Sequence, residues 1–124
     1  MMSIILVGIG GFCGSIARYL IGLSLAGFTG GLPVHTLLIN FSGSLLIGSL
    51  MVWGPEKLGF NTFYFLVPGL LGGFTTYSAF SGETFLLLKN NQHREALIYI
   101  VLTVTGSLLA TASGFWIGRS IFKT

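Results

Sequence analysis

The chain has 124 residues, 52% of them apolar and 7% charged, with 19 glycines and a mean hydropathy of +0.88. A soluble domain carries about a quarter of its residues as charged side chains, and a chain this short exposes too much surface for 7% charge to cover; a water-soluble monomer and intrinsic disorder are both excluded. Six Lys and Arg against three Asp and Glu give a net charge of +3 without the basic cluster or stripe that a nucleic-acid partner requires.

A spanning helix needs about 20 apolar residues, so this length admits four. The first apolar run covers about 3–25 and leads into a Gly/Thr-rich loop at 26–31. Cys13 lies within that run as a small packing residue, and with no second cysteine no internal disulfide forms. No basic n-region precedes the run, which is longer than a signal's apolar core, so a cleaved signal peptide is not expected. The second run covers about 33–53, with Pro33 suited to a first helical turn, and a turn at 54–57 closes it. The third covers about 61–88 and is followed by a polar, charged loop at 89–95. The fourth covers about 96–118, with Arg119 and Lys123 at its end. Trp53, Tyr64, Tyr99 and Trp116 stand near run ends, as interfacial aromatics do. The expectation is an all-α membrane protein, a single four-helix transmembrane domain over 1–124.

Glycine weakens a helix in water, yet within lipid small residues let backbones approach closely. Gly106, Ala110, Gly114 and Gly118 recur every four residues and share one helix face, as do Gly10 and Gly14. Four short helices leave little wall for a polar path, which favours homo-oligomerisation. In the third run Pro68, Gly69, Gly72 and Gly73 precede Thr75, Thr76, Tyr77 and Ser78, placing a breakable stretch near the middle of the membrane. A simple proline kink is one reading. The other is irregular backbone lining a cavity, the only setting besides a protein interior that tolerates it at that depth.

Polar residues inside the spans are few, and each carries a cost. Arg18 either snorkels to the interface or lends positive potential to a vestibule. Asn40 shares a face with Ser44 and Gly48; His35 sits at the mouth of the same span and reads as interfacial. Thr103, Ser107 and Thr111 form a hydroxyl stripe, Glu83 is the one carboxylate within a span, and Tyr77, Phe80 and Thr84 lie on its side of the helix. The inventory favours donors: an amide, hydroxyls, a guanidinium and electropositive ring edges. Neither a metal-ligand cluster nor a Ser/His/Asp nucleophile set is legible, so no enzyme is expected, and a small anion that must shed its water is the natural cargo.

The segments GGFCGSIARY (10–19), TLLINFSGS (36–44) and GGFTTYSAFSGE (72–83), in this order and with the hydroxyl stripe of the fourth run, resemble the Fluc (CrcB-type) fluoride channels over essentially the whole chain. The resemblance implies passive, fluoride-selective export across the cell membrane (the inner membrane where there are two), relieving fluoride toxicity. It implies an antiparallel, dual-topology homodimer embedded in lipid, the third helix broken at the midplane. It further implies a structural sodium ion at the dimer interface, held by main-chain carbonyls of Gly72 and Thr75. On the same grounds Asn40 matches the pore amide, Phe80 the second pore aromatic, Glu83 the mouth carboxylate and Arg18 the vestibule arginine, while Ser107 and Thr111, with Thr103, match the polar track. One position departs: the first pore aromatic, typically Phe, is Tyr77. Dual topology also accords with the charges. One side carries Lys57, Arg119 and Lys123, and the other Lys89 and Arg94 with Arg18 nearest, leaving no excess to set orientation.

Two other classes compete. A small multidrug-type exporter has similar length and topology but needs an acid in its first span, and none is present there. A non-conducting assembly subunit would account for the glycines and leave the midplane break and hydroxyl stripe without a purpose.

Overall fold

The computed structural model describes residues 1–26 and 31–122; most of the expected first loop, and Lys123, lie outside the described residues. Every regular element among the described residues is helical: α1 (Met2–Leu25), α2 (Val34–Met51), α3 (Gly54–Leu58), α4 (Phe60–Tyr64), a π-wound segment (Phe65–Leu71), α5 (Gly72–Phe74), α6 (Tyr77–Lys89) and α7 (His93–Phe122). Among the described residues, α1, α2 and α7 are long and apolar enough to cross a membrane. Large apolar side chains such as Ile4, Phe12, Leu108 and Leu109 turn two-thirds or more of their surface outward, a face that only lipid or a partner accommodates.

Glycine stripes create the packing. Along the α2–α7 seam Gly114 lies against the Leu45 carbonyl, Gly118 against that of Ser49 and Gly48 against that of Thr111, so that a Cβ at any of them would overlap backbone. Gly106 receives the Phe41 ring. Positions 41, 45 and 49 of α2 thus meet 106, 114 and 118 of α7, ridge against groove. Ser49 Oγ ties the seam by donating to the Gly114 carbonyl at 3.1 Å. In the same manner α1 crosses the π-wound segment, with Gly10 against Phe65 and Gly69 and Gly14 against the Leu70 carbonyl. The stripes expected to pack do pack.

The region expected as a run over 61–88 is where chain and expectation part. Pro68 does not break the helix. It sits inside the π-wound segment, where wider winding accommodates a residue that lacks an amide and crowds the preceding turn. The interruption comes seven residues later: Thr75 and Thr76 are extended, with φ, ψ of −77°, 158° and −151°, 118°. Smaller differences follow local chemistry. α7 starts at His93 with Glu95 in its first turn, so the loop before it shrinks to Asn90–Gln92, where Asn91 takes a left-handed φ of 59°. Pro33 caps α2 from one place outside it. Tyr99, read as interfacial, is 0% exposed and belongs to the core with Leu37, Phe80, Leu87 and Ala96.

The seam predicts a contrast. Gly48→Ala forces α2 off α7 and lowers the Tm of the detergent-solubilised protein by several degrees, an overpacking cost of about 1–3 kcal/mol. Gly22→Ala, whose added carbon meets nothing within 4 Å, leaves Tm unchanged or slightly raised. Equal values for the two variants, measured by scanning fluorimetry, would contradict the seam.

Candidate functional site

At the interruption between α5 and α6, the backbone of Thr76 has lost its helical partners and is taken up by one side chain. Asn40 Oδ1 accepts from the Thr76 amide at 2.9 Å, and Asn40 Nδ2 donates to the Thr76 carbonyl at 3.1 Å. The amide of Asn40 thus acts as a one-residue strand partner, and it is buried. Thr76 in turn caps α6, its Oγ1 accepting from the Ala79 amide at 3.2 Å. In a continuous helix the Thr76 amide would bond to the Gly72 carbonyl and the Ala79 amide to that of Thr75. Both amides are diverted to side chains, leaving the carbonyls of Gly72 and Thr75 without those donors. Thr75 itself folds back, both its amide (3.0 Å) and its Oγ1 (2.9 Å) donating to the Leu71 carbonyl.

These residues open onto a groove of about 500 Å³ whose lining includes Asn40, Ser44, Gly72, Thr75, Tyr77, Phe80, Thr103 and Ser107. Its walls are otherwise largely apolar (Ile47, Val67, Leu71, Val104 and Leu108). Thr103 is 7% exposed, and its Oγ1 is buried with no hydrogen-bond partner among the described residues. A buried hydroxyl is normally satisfied, so this one is a donor held in reserve. Asn40 Nδ2 keeps a second hydrogen beyond the one Thr76 uses. Tyr77 and Phe80 meet edge-to-face at 5.5 Å and 65°, and Phe80 stands in the same relation to Tyr99 at 5.3 Å and 62°. Tyr77 is 79% exposed, on the open side of the groove.

Seven of the residues singled out from sequence therefore share one groove: Asn40, Gly72, Thr75, Tyr77, Phe80, Thr103 and Ser107. Three do not. Thr111 donates to the Ser107 carbonyl of its own helix at 3.0 Å and is outside the lining. Arg18 lines a separate cavity of about 270 Å³ with Ser15, His35 and Thr76, the last of which also lines the groove. Glu83 lines a third cavity, of about 550 Å³, with His35 and Tyr19.

Glu83 is not an open carboxylate. Oε1 accepts from Thr36 Oγ1 at 2.8 Å and lies 3.2 Å from His35 Nε2, while Oε2 accepts from Tyr99 OH at 2.6 Å. Two hydroxyl donors from two other helices, with the His35 ring beside them, hold this half-buried carboxylate. Sequence reasoning missed Tyr99 and Thr36 as its partners. A signal was present: Tyr99 stands four residues before Thr103 and begins the polar stripe of α7.

The site joins hydrogen-bond donors and ring edges in an apolar groove, beside backbone carbonyls released from a helix. Among the described residues no three His, Cys, Asp or Glu cluster as metal ligands would. Such a set can strip water from a small anion and hold it weakly at several points.

The family model described as CrcB-like protein, Camphor Resistance (CrcB), matches residues 5–115. Similar curated proteins include the fluoride-specific ion channel FluC of Rhizobium meliloti (strain 1021), 42% identical over 124 residues that cover 98% of this chain and 99% of the relative. That of Roseobacter denitrificans is 37% identical over 125 residues, covering 98% and 99%. That of Chlorobium chlorochromatii is 41% identical over 113 residues, covering 90% and 88%.

The Asn40–Thr76 bridge makes its own prediction. Asn40→Leu leaves an amide and a carbonyl unpaired, each costing about 1–3 kcal/mol. Hydrogen–deuterium exchange in the peptide covering 75–79 then rises by about tenfold or more, while that of α7 hardly changes. Unchanged exchange at 75–79 would show that the break does not depend on Asn40.

Proposed function

The chain belongs to the CrcB-like protein family, and we propose that it is a fluoride-selective channel, a multi-pass cell-membrane protein rather than an enzyme, that lets fluoride leave the cell down its gradient. The observation that carries this reading is the groove. Thr103, whose hydroxyl has no partner among the described residues, Asn40, whose amide keeps a spare hydrogen, Ser107 and the edge-to-face pair Tyr77–Phe80 line one cavity. Fluoride binds water tightly, so a path for it must replace that water donor by donor. In this reading Phe80 and Tyr77 offer ring edges, Thr103 and Ser107 continue the track, and Arg18 raises the potential at one approach. Thr111 continues the track only if its hydroxyl leaves its own helix, and Glu83 marks the other approach. Tyr77 keeps the ring edge where the family has Phe and adds a hydroxyl.

The groove lies open on the side of the protomer where Gly72 and Tyr77 are exposed. A second, antiparallel copy closes it in our proposal, giving a dual-topology homodimer of four-span subunits with two equivalent paths. The chain from Phe60 to Lys89 forms the third span, broken at Thr75–Thr76 near the membrane midplane. The carbonyls of Gly72 and Thr75, deprived of helical donors, suit a hard cation, and two such pairs from two subunits would hold one sodium ion at the interface. That ion would supply fixed charge and join the subunits.

Proteoliposomes test the transport reading. Fluoride appears outside on dilution into low-fluoride buffer while chloride stays trapped, and Phe80→Ile, with unchanged elution volume, slows fluoride release about tenfold, equivalent to losing one interaction of about 1.4 kcal/mol. Chloride release without fluoride release refutes it. The assembly reading has a separate test. In detergent the protein elutes as a dimer, and replacing sodium by N-methylglucamine lowers its Tm, since an ion at a hundred times its Kd contributes about 2.7 kcal/mol. A monomer, or a Tm indifferent to sodium, refutes that part alone.

A further inference from the structure

The hydroxyls of α2 are unequal. Thr36 donates to Glu83 at 2.8 Å. Ser42 donates to the Leu38 and Ile39 carbonyls of its own helix at 2.7 and 3.1 Å, and Ser49 to the Leu45 and Gly114 carbonyls, both at 3.1 Å. Ser44 makes no hydrogen bond among the described residues, although the Asn40 carbonyl stands one turn before it as those of Leu38 and Leu45 stand before Ser42 and Ser49. A serine inside a helix commonly bonds back in that way. This one leaves its hydroxyl unspent, and the half-buried residue lines the groove of about 500 Å³.

The register of α2 on α7 fixes its surroundings. Gly48 lies against the Thr111 carbonyl, and the pairs one and two turns earlier on both helices, Ser44 with Ser107 and Asn40 with Thr103, line the groove. Ser107 likewise makes no side-chain hydrogen bond among the described residues. The lining within one turn of these two serines is otherwise apolar, with Ile47, Val104 and Leu108. An anion that left Asn40 and Thr103 and met Ser107 alone would exchange its water for a single donor. We propose that Ser44 is a donor of the anion path, which with Ser107 forms a second two-donor station about 6 Å beyond the level of Asn40 and Thr103, at the helical rise of about 1.5 Å per residue. The inference rests on the channel reading above and extends it to a side chain that the resemblance leaves without a role. Passage demands that protein donors replace water at each step, and here the second helix supplies the donor that the hydroxyl stripe of α7 lacks at this level.

The experiment compares fluoride efflux from proteoliposomes, and Tm in detergent, for the wild type, Ser44→Ala, Ser44→Thr and Ser42→Ala. Ser44→Ala slows efflux about tenfold, the lower end of what one hydrogen bond to a charged group is worth. Its Tm equals that of the wild type, because no protein partner of the hydroxyl is lost. Ser44→Thr keeps a hydroxyl on the same carbon and conducts at close to the wild-type rate. Ser42→Ala, which removes a hydroxyl already bonded to its own helix on the exposed face, also conducts as the wild type does. Efflux unchanged in Ser44→Ala while the wild type conducts fluoride overturns the inference and leaves the channel reading intact. So does Ser44→Thr as slow as Ser44→Ala, or Ser42→Ala as slow as either. A Tm lowered by several degrees in Ser44→Ala assigns the hydroxyl to the structure and overturns the inference too. Absence of fluoride efflux from the wild type overturns the channel reading and this inference with it.

Discussion

The groove depends on two hydrogen bonds between the Asn40 side chain and the backbone of Thr76. In lipid an unpaired amide or carbonyl costs several kcal/mol, so a chain can leave the helical path only where something else satisfies it. Asn40 carries one acceptor and one donor at the spacing of a peptide group, and so replaces a strand neighbour. With Thr76 held, its hydroxyl is free to cap α6, and α6 starts where Tyr77 and Phe80 project into the groove. The same diversion strips Gly72 and Thr75 of their helical donors. A single amide therefore sets both the donor-rich face and the carbonyl-rich face of this region.

Glu83 shows the complementary economy. A carboxylate among apolar helices is tolerable because Thr36 and Tyr99 each give a hydroxyl and His35 stands beside them. Tyr99 does two further things: it fills the core and presents its ring to the edge-to-face ladder with Phe80. The hydroxyl that satisfies the acid and the ring that supports the groove belong to one side chain, which couples the position of the carboxylate to that of the aromatic wall.

Much of this was legible in the amino-acid order. The glycine spacing of α7 named the face that meets α2, because close packing in lipid needs small residues and a helix repeats them every fourth place. The third segment announced irregular backbone through its Pro, Gly and Thr content. Its position was harder to read. Pro68 carries the strongest local penalty, yet π-winding absorbs it, and the break falls at Thr75–Thr76, where a partner 36 residues away in sequence is available. Thr111 and Thr103 illustrate the same limit. They lie on one stripe of one helix, and whether a hydroxyl faces the groove or bonds its own backbone is decided by what the neighbouring helix presents. Tyr99 was placed by its nearness to the end of an apolar run, whereas its surroundings come from α6 and α2.

The α2–α7 seam has a consequence for biogenesis. Its contacts are distant in sequence: Ser49 and Gly114, joined by a hydrogen bond, are 65 residues apart. The ribosome has delivered nearly the whole polypeptide before that seam can close, whereas the crossing of α1 over the π-wound segment and the Asn40–Thr76 bridge need only its first two-thirds. Until α7 arrives, Glu83 lacks the Tyr99 hydroxyl and Phe80 lacks one side of its packing. Insertion of α7 thus completes both the close helix seam and the hydrogen bonding of Glu83.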